Sequence, residues 1–210
     1  MSHSPFRVAL FGSARLQLDS REYQDVYTIS RDLTQRGISV VCVGGPGLME
    51  ACRCGRDQAL STSEASAEAS GVEPRGDRTA VSCENLVSHF QHFTRRMDRF
   101  LTESQGIIVA PGGIGTLLEL FYCLHSCQVR KVTPPPILLF GPGWRSFMAW
   151  WNEHLLARGL VSPEDSAPLT CFDDAPAVIR QIDQWYQQVL VAKATGSSPD
   201  VSFRAGLQPD

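Results

Sequence analysis

Nowhere does this 210-residue chain hold an apolar run long enough to cross a bilayer. Its opening, MSHSPFRVALFG, lacks the long apolar segment of a secretory leader, so no signal peptide is expected. Positive charge is not in excess. With 19 Lys and Arg against 22 Asp and Glu, the net charge of −3 gives no reason to expect a nucleic-acid or membrane partner. Cysteine is present but unpatterned. Cys42, Cys52, Cys54, Cys83, Cys123, Cys127 and Cys171 are odd in number and scattered, which argues against a disulfide framework. Neither Cys52-x-Cys54 nor Cys123-x-x-x-Cys127 has the spacing of zinc ligands, and His89 and His92 lack a third ligand. Reduced, half-buried thiols in a cytoplasmic protein are expected, with no metal site and no cofactor. Two nucleotide fingerprints are missing as well: the Gly-Lys-Ser/Thr of a Walker A loop and the dinucleotide G-x-G-x-x-G.

What remains is globular. Apolar residues at 43% and charged residues at 20% exclude a disordered chain. The length suits one α/β domain with a sizeable core. That domain is expected over residues 1–193, with 194–210 as a disordered tail.

The most informative stretch runs from Ile107 to Leu120. Ile107-Ile108-Val109-Ala110 reads as a short buried strand. Three glycines follow within a few residues, and then an apolar-rich segment long enough for a helix. Such a sequence builds a phosphate-binding geometry. Gly112, Gly113 and Gly115 let the backbone approach a ligand with no side chain in the way. The free N–H groups at the helix start, helped by its dipole, point at an anion. Thr116 can add a hydroxyl donor, and Glu119 lies near the mouth of the same turn. A second reading stays open: Thr116-x-x-Glu119 also fits a capping box, in which both side chains only satisfy helix-end amides.

Two further glycine turns follow strands. Phe6 to Phe11 reads as a first strand ending at Gly12-Ser13-Ala14-Arg15, where Ser13 can offer a hydroxyl or amide to a ligand beyond the strand's carboxyl end. Asp19 or Ser20 caps a helix reaching about Arg36, with Gly37 after it. Ser39 to Val43 reads as a second strand. Gly44-Gly45-Pro46-Gly47 follows, and a helix starts at Leu48, in which Met49 faces either a ligand or the core. Ser61 to Gly76 reads as a loop or a short strand near Ala69 to Val72, and Thr79 to Cys83 as a further strand. The segment from His89 to Ser104 brings His89, His92, Arg95, Arg96 and Arg99 just ahead of the central loop. Neighbours on a helix do not share a face, so Arg95 and Arg96 point differently. Beyond the loop, the pattern predicts a helix to about Gln128 and a strand at Pro136 to Phe140. It then predicts a core helix through Phe147, Trp150, Trp151, Leu155 and Leu156, a strand at Leu169 to Phe172, and a closing helix from Ala175 to about Ala192. The fold class is a doubly wound, Rossmann-like parallel sheet flanked by helices.

Three motifs together resemble the Lonely Guy (LOG) phosphoribohydrolases, long labelled lysine decarboxylases. They are FGSAR (Phe11 to Arg15), VGGPGLMEA (Val43 to Ala51) and PGGIGTLLE (Pro111 to Glu119). GLVSPED (Gly159 to Asp165) and DDAP (Asp173 to Pro176) also look familial, and the resemblance covers roughly Arg7 to Asp183. It implies a catalytic Glu119 and a catalytic arginine about fifteen residues before Pro111, which is Arg96, with Arg95 next in line if the register slips. The family's Arg-Lys pair is Arg96-Met97 here, Val43 replaces a glycine, and Leu60 to Asn85 fits the family poorly.

The resemblance implies hydrolysis of a nucleoside 5′-monophosphate, of AMP or cytokinin-riboside monophosphate type, to free base and ribose 5-phosphate by a homodimer without a cofactor. Phosphate or nucleotide contacts are assigned to Gly112, Gly113, Gly115, Thr116, Ser13, Gly45 and Met49. A rival of another class is a non-catalytic nucleotide or molybdenum-cofactor carrier of similar fold, in which Glu119 is only a cap. A DNA-binding relative is disfavoured by the acidic balance.

Overall fold

Five short aliphatic runs form one sheet in the computed structural model, which describes residues 6–42, 45–70, 93–129 and 135–195, with the backbone alone over 63–70. The strands are β1 (Arg7–Phe11), β2 (Ser39–Cys42), β3 (Gly106–Val109), β4 (Ile137–Phe140) and β5 (Leu169–Phe172). All neighbours are parallel, in the order β2-β1-β3-β4-β5. A parallel sheet is covered on both faces, so its inner strands must be apolar on both sides. Accordingly β3 and β4 are buried at every residue, whereas the outer β2 alternates.

The helices divide between the two faces. Val8, Leu10, Ile108 and Leu138 pack with α1 (Arg21–Gln35), α2 (Leu48–Ser70) and α7 (Ala175–Thr195). Ala9, Phe11, Ile107, Val109, Ile137 and Leu139 face α3 (Phe93–Glu103), α4 (Ile114–Gln128) and α5 (Gly143–Trp151). The period-2 alternation of each strand thus feeds two cores, as in a doubly wound fold. Tyr23, Val26, Ile29 and Leu33 make the buried stripe of α1, which Ser20 caps by accepting from the Tyr23 amide. Truncating Leu33, fully buried, to Ala would cost about 2–5 kcal/mol.

From β1 the chain runs outward to β2 and then returns to lay β3 on β1's other side. Strand order reverses between β1 and β3, the place where open α/β sheets take their ligands, beyond the strands' carboxyl ends. The turns after β1 and β3 carry two of the glycine motifs.

Several expectations need correcting. Ala69 and Ser70 are helical, because α2 continues to Ser70 through a segment rich in Ala and Glu, both good helix formers. The expected Thr79–Cys83 strand, His89 and His92, and Val43 with Gly44 lie outside the described residues, as does the tail from 196 on. The apolar helix near Trp150 is core on one side only. Trp144 and Trp151 are buried but Trp150 is 47% exposed, and after Trp151 the helix loosens into a π turn over Asn152–Leu156. A short α6 (Pro163–Ser166) follows, opened by the Ser162–Asp165 capping box.

Candidate functional site

Hydrogen bonds sew the glycine turns together. The Ser13 amide donates to the Pro111 carbonyl at 3.0 Å, and the Ser13 carbonyl accepts from the Leu48 amide at 2.9 Å. The loop after β1 is therefore the middle stitch between the loops after β2 and β3. Its closeness explains Gly47, whose φ is +70° and where a Cβ would stand 2.5 Å from the Ser13 carbonyl oxygen. The amide of Ser13 is thus consumed by the fold and not free for a ligand, contrary to half of the sequence expectation. Its hydroxyl oxygen accepts from the Arg15 amide at 3.1 Å, which leaves the hydroxyl proton to donate. Gly45 is exposed. A Cβ there would lie 3.4 Å from the Met49 methyl, and Met49 itself is partly buried against the core.

At the central loop, Gly113 is the N-cap of α4 and has no side chain to cap with. This overturns the capping-box reading of Thr116 and Glu119. Thr116 is the third residue of the helix, not its cap, and Glu119 sits in the second turn, beyond reach of the end amides. Thr116 is 4% exposed and tucks beneath Gly112, where a Cβ would come within 2.1 Å of the Thr116 hydroxyl oxygen. Gly113 and Gly115 differ: a Cβ on either would meet nothing within 4 Å. The cap residue of this fifteen-residue helix thus gives its first amides no side-chain partner, and among the described residues nothing crowds the places beside Gly113 and Gly115.

Glu119 faces α3. Its Oε1 lies 3.8 Å from Arg96 Nη2, and the two side chains are only 15% and 26% exposed. Burial raises the Glu119 carboxyl above its usual range and the Arg96 charge opposes that rise. Arg96 Nε is buried with no hydrogen-bond partner among the described residues. The guanidinium carbon stands 5.4 Å from the centre of the Phe93 ring. Arg95 is exposed and Met97 is fully buried in the core, so Arg96 alone of the three meets Glu119. The residue that replaces a lysine next to Arg96 is therefore a packing residue, which suits its apolar side chain.

One turn beyond Glu119, the buried Cys123 thiol is pushed far up by desolvation, and Cys127 is pushed up to about 11 by the same cause. Both are poor nucleophiles near neutrality. The six cysteines among the described residues are all free. No group of three His, Cys, Asp or Glu side chains among those residues is arranged to hold a metal ion. No described helix is long and apolar enough to cross a membrane. A small cavity beside α3 is lined by Arg7, Arg96, Arg99 and Glu103 over Phe100, and of the residues expected in the site only Arg96 reaches it.

The sequence reading did not single out Phe93, Asp98 and Tyr122. Tyr122 donates to Asp98 Oδ1 at 2.6 Å, and its ring meets Phe93 edge-on at 5.7 Å. Their helical spacing was the available signal, since Phe93 lies three residues before Arg96 and Tyr122 three after Glu119.

A family model described as "possible lysine decarboxylase" matches residues 57–182, more than half of the chain. The chain belongs to that family, the LOG-like group of Rossmann proteins. No curated protein matches it. Among solved structures it is similar to the molybdenum cofactor binding protein of the phototrophic bacterium Rippkaea orientalis, at 14% identity and a TM-score of 0.55, covering 88% of this chain and 98% of that one. It is also similar to DNA processing protein A from Helicobacter pylori, a single-stranded DNA binder, at 12% identity and a TM-score of 0.50, covering 86% and 81%. A molybdenum cofactor carrier protein from Chlamydomonas reinhardtii matches at 15% identity and a TM-score of 0.49, covering 90% and 99%. At such identities the likeness is one of fold.

Proposed function

We propose that the chain hydrolyses the N-glycosidic bond of a nucleoside 5′-monophosphate, of AMP or cytokinin-riboside monophosphate type, to free base and ribose 5-phosphate. One observation carries the reading: behind the glycines stands a helix N-terminus whose cap residue is itself a glycine, and on the second turn of that helix a largely buried carboxylate faces an arginine at 3.8 Å. In this reading the amides from Gly112 to Thr116 hold the 5′-phosphate, with the Ser13 hydroxyl and the Gly45–Met49 edge beside it. That grip sets the ribose over Glu119. A water oxygen bonds to C1′ as the C1′–N bond breaks, and the bond's electron pair leaves with the base. Positive charge grows on C1′ in the transition state, where a fixed carboxylate stabilises it. Glu119 also takes the proton of the attacking water, and its raised proton affinity moves it towards the range useful to a base near neutrality. Arg96 donates to the departing base or to the phosphate. No metal is invoked.

The rival is a carrier or sensor that keeps the phosphate loop and leaves Glu119 idle. Its structural relatives bind molybdenum cofactor or DNA, but Glu119 is not a cap here, which removes the structural role that reading gave it. The acidic balance disfavours DNA as before. The homodimer draws support from an apolar stripe on α4, Ile114, Leu118 and Phe121, which are 88%, 52% and 39% exposed.

The deciding experiment incubates the pure protein with a panel of nucleoside monophosphates and looks for released base, with calorimetry on AMP and adenosine alongside. Release of base supports the hydrolase. Tight binding of a monophosphate without release makes the chain a carrier or sensor. Equal affinity for AMP and adenosine ends the phosphate reading altogether.

A further inference from the structure

The Arg96–Glu119 pair joins two helices, and its spacing depends on how α3 is rotated against α4. Arg96 has no hydrogen bond to Glu119 at 3.8 Å, so the pair does not fix itself. Something else must hold the guanidinium. Three residues outside the pair connect the same helices. Tyr122, one turn along α4 from Glu119, donates its hydroxyl to Asp98 at 2.6 Å. The edge-on contact between Tyr122 and Phe93 has its ring planes at 87°. The Phe93 ring in turn lies against the Arg96 guanidinium. Asp98 and Phe93 flank Arg96 in sequence, so Tyr122 touches α3 on both sides of the arginine.

We propose that Phe93 and Tyr122 are positioning residues for Arg96. Tyr122 sets the rotation of α3 through Asp98 and buttresses the Phe93 ring, and that ring steers the guanidinium towards Glu119. The inference rests on the hydrolase reading for its effect on rate, but its geometric content stands apart from it. A cation over an aromatic face keeps a preferred place without losing hydrogen-bond donors. A displacement of about 1 Å at a reacting centre costs up to about a hundredfold in rate, so small slackness here is measurable.

The test has two readouts. The first is the titration of the Glu119 side-chain carboxyl, followed by NMR on protein carrying 13C-labelled glutamate and assigned by the signal lost in Glu119→Gln. Among the described residues the groups facing Glu119 are Arg96 from α3 and Cys123 from its own helix, and of these two Arg96 is the charged one near neutrality. Tyr122→Phe and Phe93→Leu should move the titration upward, in the direction of Arg96→Ala. Neither should move it further in the Arg96→Ala background. The second readout is turnover: each variant should lower kcat about tenfold with KM within about twofold, and neither should lower it again once Arg96 is gone. An unchanged Glu119 titration in folded Tyr122→Phe and Phe93→Leu overturns the proposal. So does a drop of equal size with and without Arg96, which marks a merely structural role. If the wild type releases no base, the hydrolase reading fails while the titration still decides the positioning.

Discussion

Arg96 and Glu119 face each other from different helices at 3.8 Å, too far for a hydrogen bond and close enough for each to feel the other's charge. The gap leaves both groups able to engage a third. Glu119 accordingly has no structural duty that an amide cannot perform. Glu119→Gln is expected to keep its melting temperature within a few degrees and to bind AMP still, while base release falls about a hundredfold or more. Thermal melts and chromatographic detection of base check both halves, and wild-type turnover in the variant would remove Glu119 from the chemistry.

The raised proton affinity of Glu119 predicts a pH signature. Its folded-state value is held above its unfolded-state value through burial that Arg96 only partly offsets. Between those two values the native state binds more protons than the unfolded one, so stability contributed by this group falls as pH rises through the window. Glu119→Gln removes that term. The variant's melting temperature relative to wild type should therefore rise across the window and level off above the folded-state value. If ionised Glu119 is the working form, the acid limb of the rate profile should follow the same group. Arg96→Ala should shift that limb to higher pH, since it deletes the opposing charge. A melting difference flat from about pH 4 to 8 contradicts the burial argument.

The sheet was legible because each strand is a short aliphatic run closed by glycine or a polar turn, and β5 (Leu169–Phe172) matches the sequence reading residue for residue. The α/β order followed from those runs. Less could be read where local composition carries two meanings. Ala69 and Ser70 belong to a segment of Ser, Ala and Glu that suits a loop or a helix, and only its continuity with α2 decides for helix. Thr116-x-x-Glu119 fits a capping box in sequence, yet the helix starts three residues earlier at a glycine, and that start depends on how Pro111 is pinned to Ser13. Ser13's amide looked available because its partner, Pro111, lies nearly a hundred residues away.

An exposed apolar stripe on a helix predicts a partner. Ile114, Leu118 and Phe121 recur at helical spacing on the outer face of α4, and Phe121 continues into α5 through ring contacts with Phe147 and Trp151. If a second copy covers this face, Leu118→Glu should convert a dimer to a monomer in light scattering, because burying an unpaired carboxylate costs several kcal/mol. A wild type that is monomeric at every concentration tested would end the dimer reading.

The last prediction separates two neighbouring glycines that the sequence treats alike. Gly112 lies over Thr116, and a Cβ there would fall 2.1 Å from the hydroxyl oxygen and 2.4 Å from the Thr116 Cβ. Thr116 is buried and cannot swing away cheaply. Gly112→Ala should therefore distort the start of α4 and lower stability by about 1–3 kcal/mol, the usual cost of overpacking, with AMP binding lost as a consequence. Gly113 has φ −101°, a value any residue adopts, and a Cβ there meets nothing within 4 Å. In the proposed site, its side chain would stand beside the helix-end amides that hold the phosphate. Gly113→Leu should fold with a melting temperature close to wild type, apart from a capping loss of a few tenths to about 1 kcal/mol. It should nevertheless lose AMP binding, because the side chain occupies the path by which a phosphate reaches the amides. Calorimetry and thermal melts on the two variants distinguish a folding defect from a blocked site. If Gly113→Leu binds AMP as tightly as wild type, the phosphate does not sit at the N-terminus of α4.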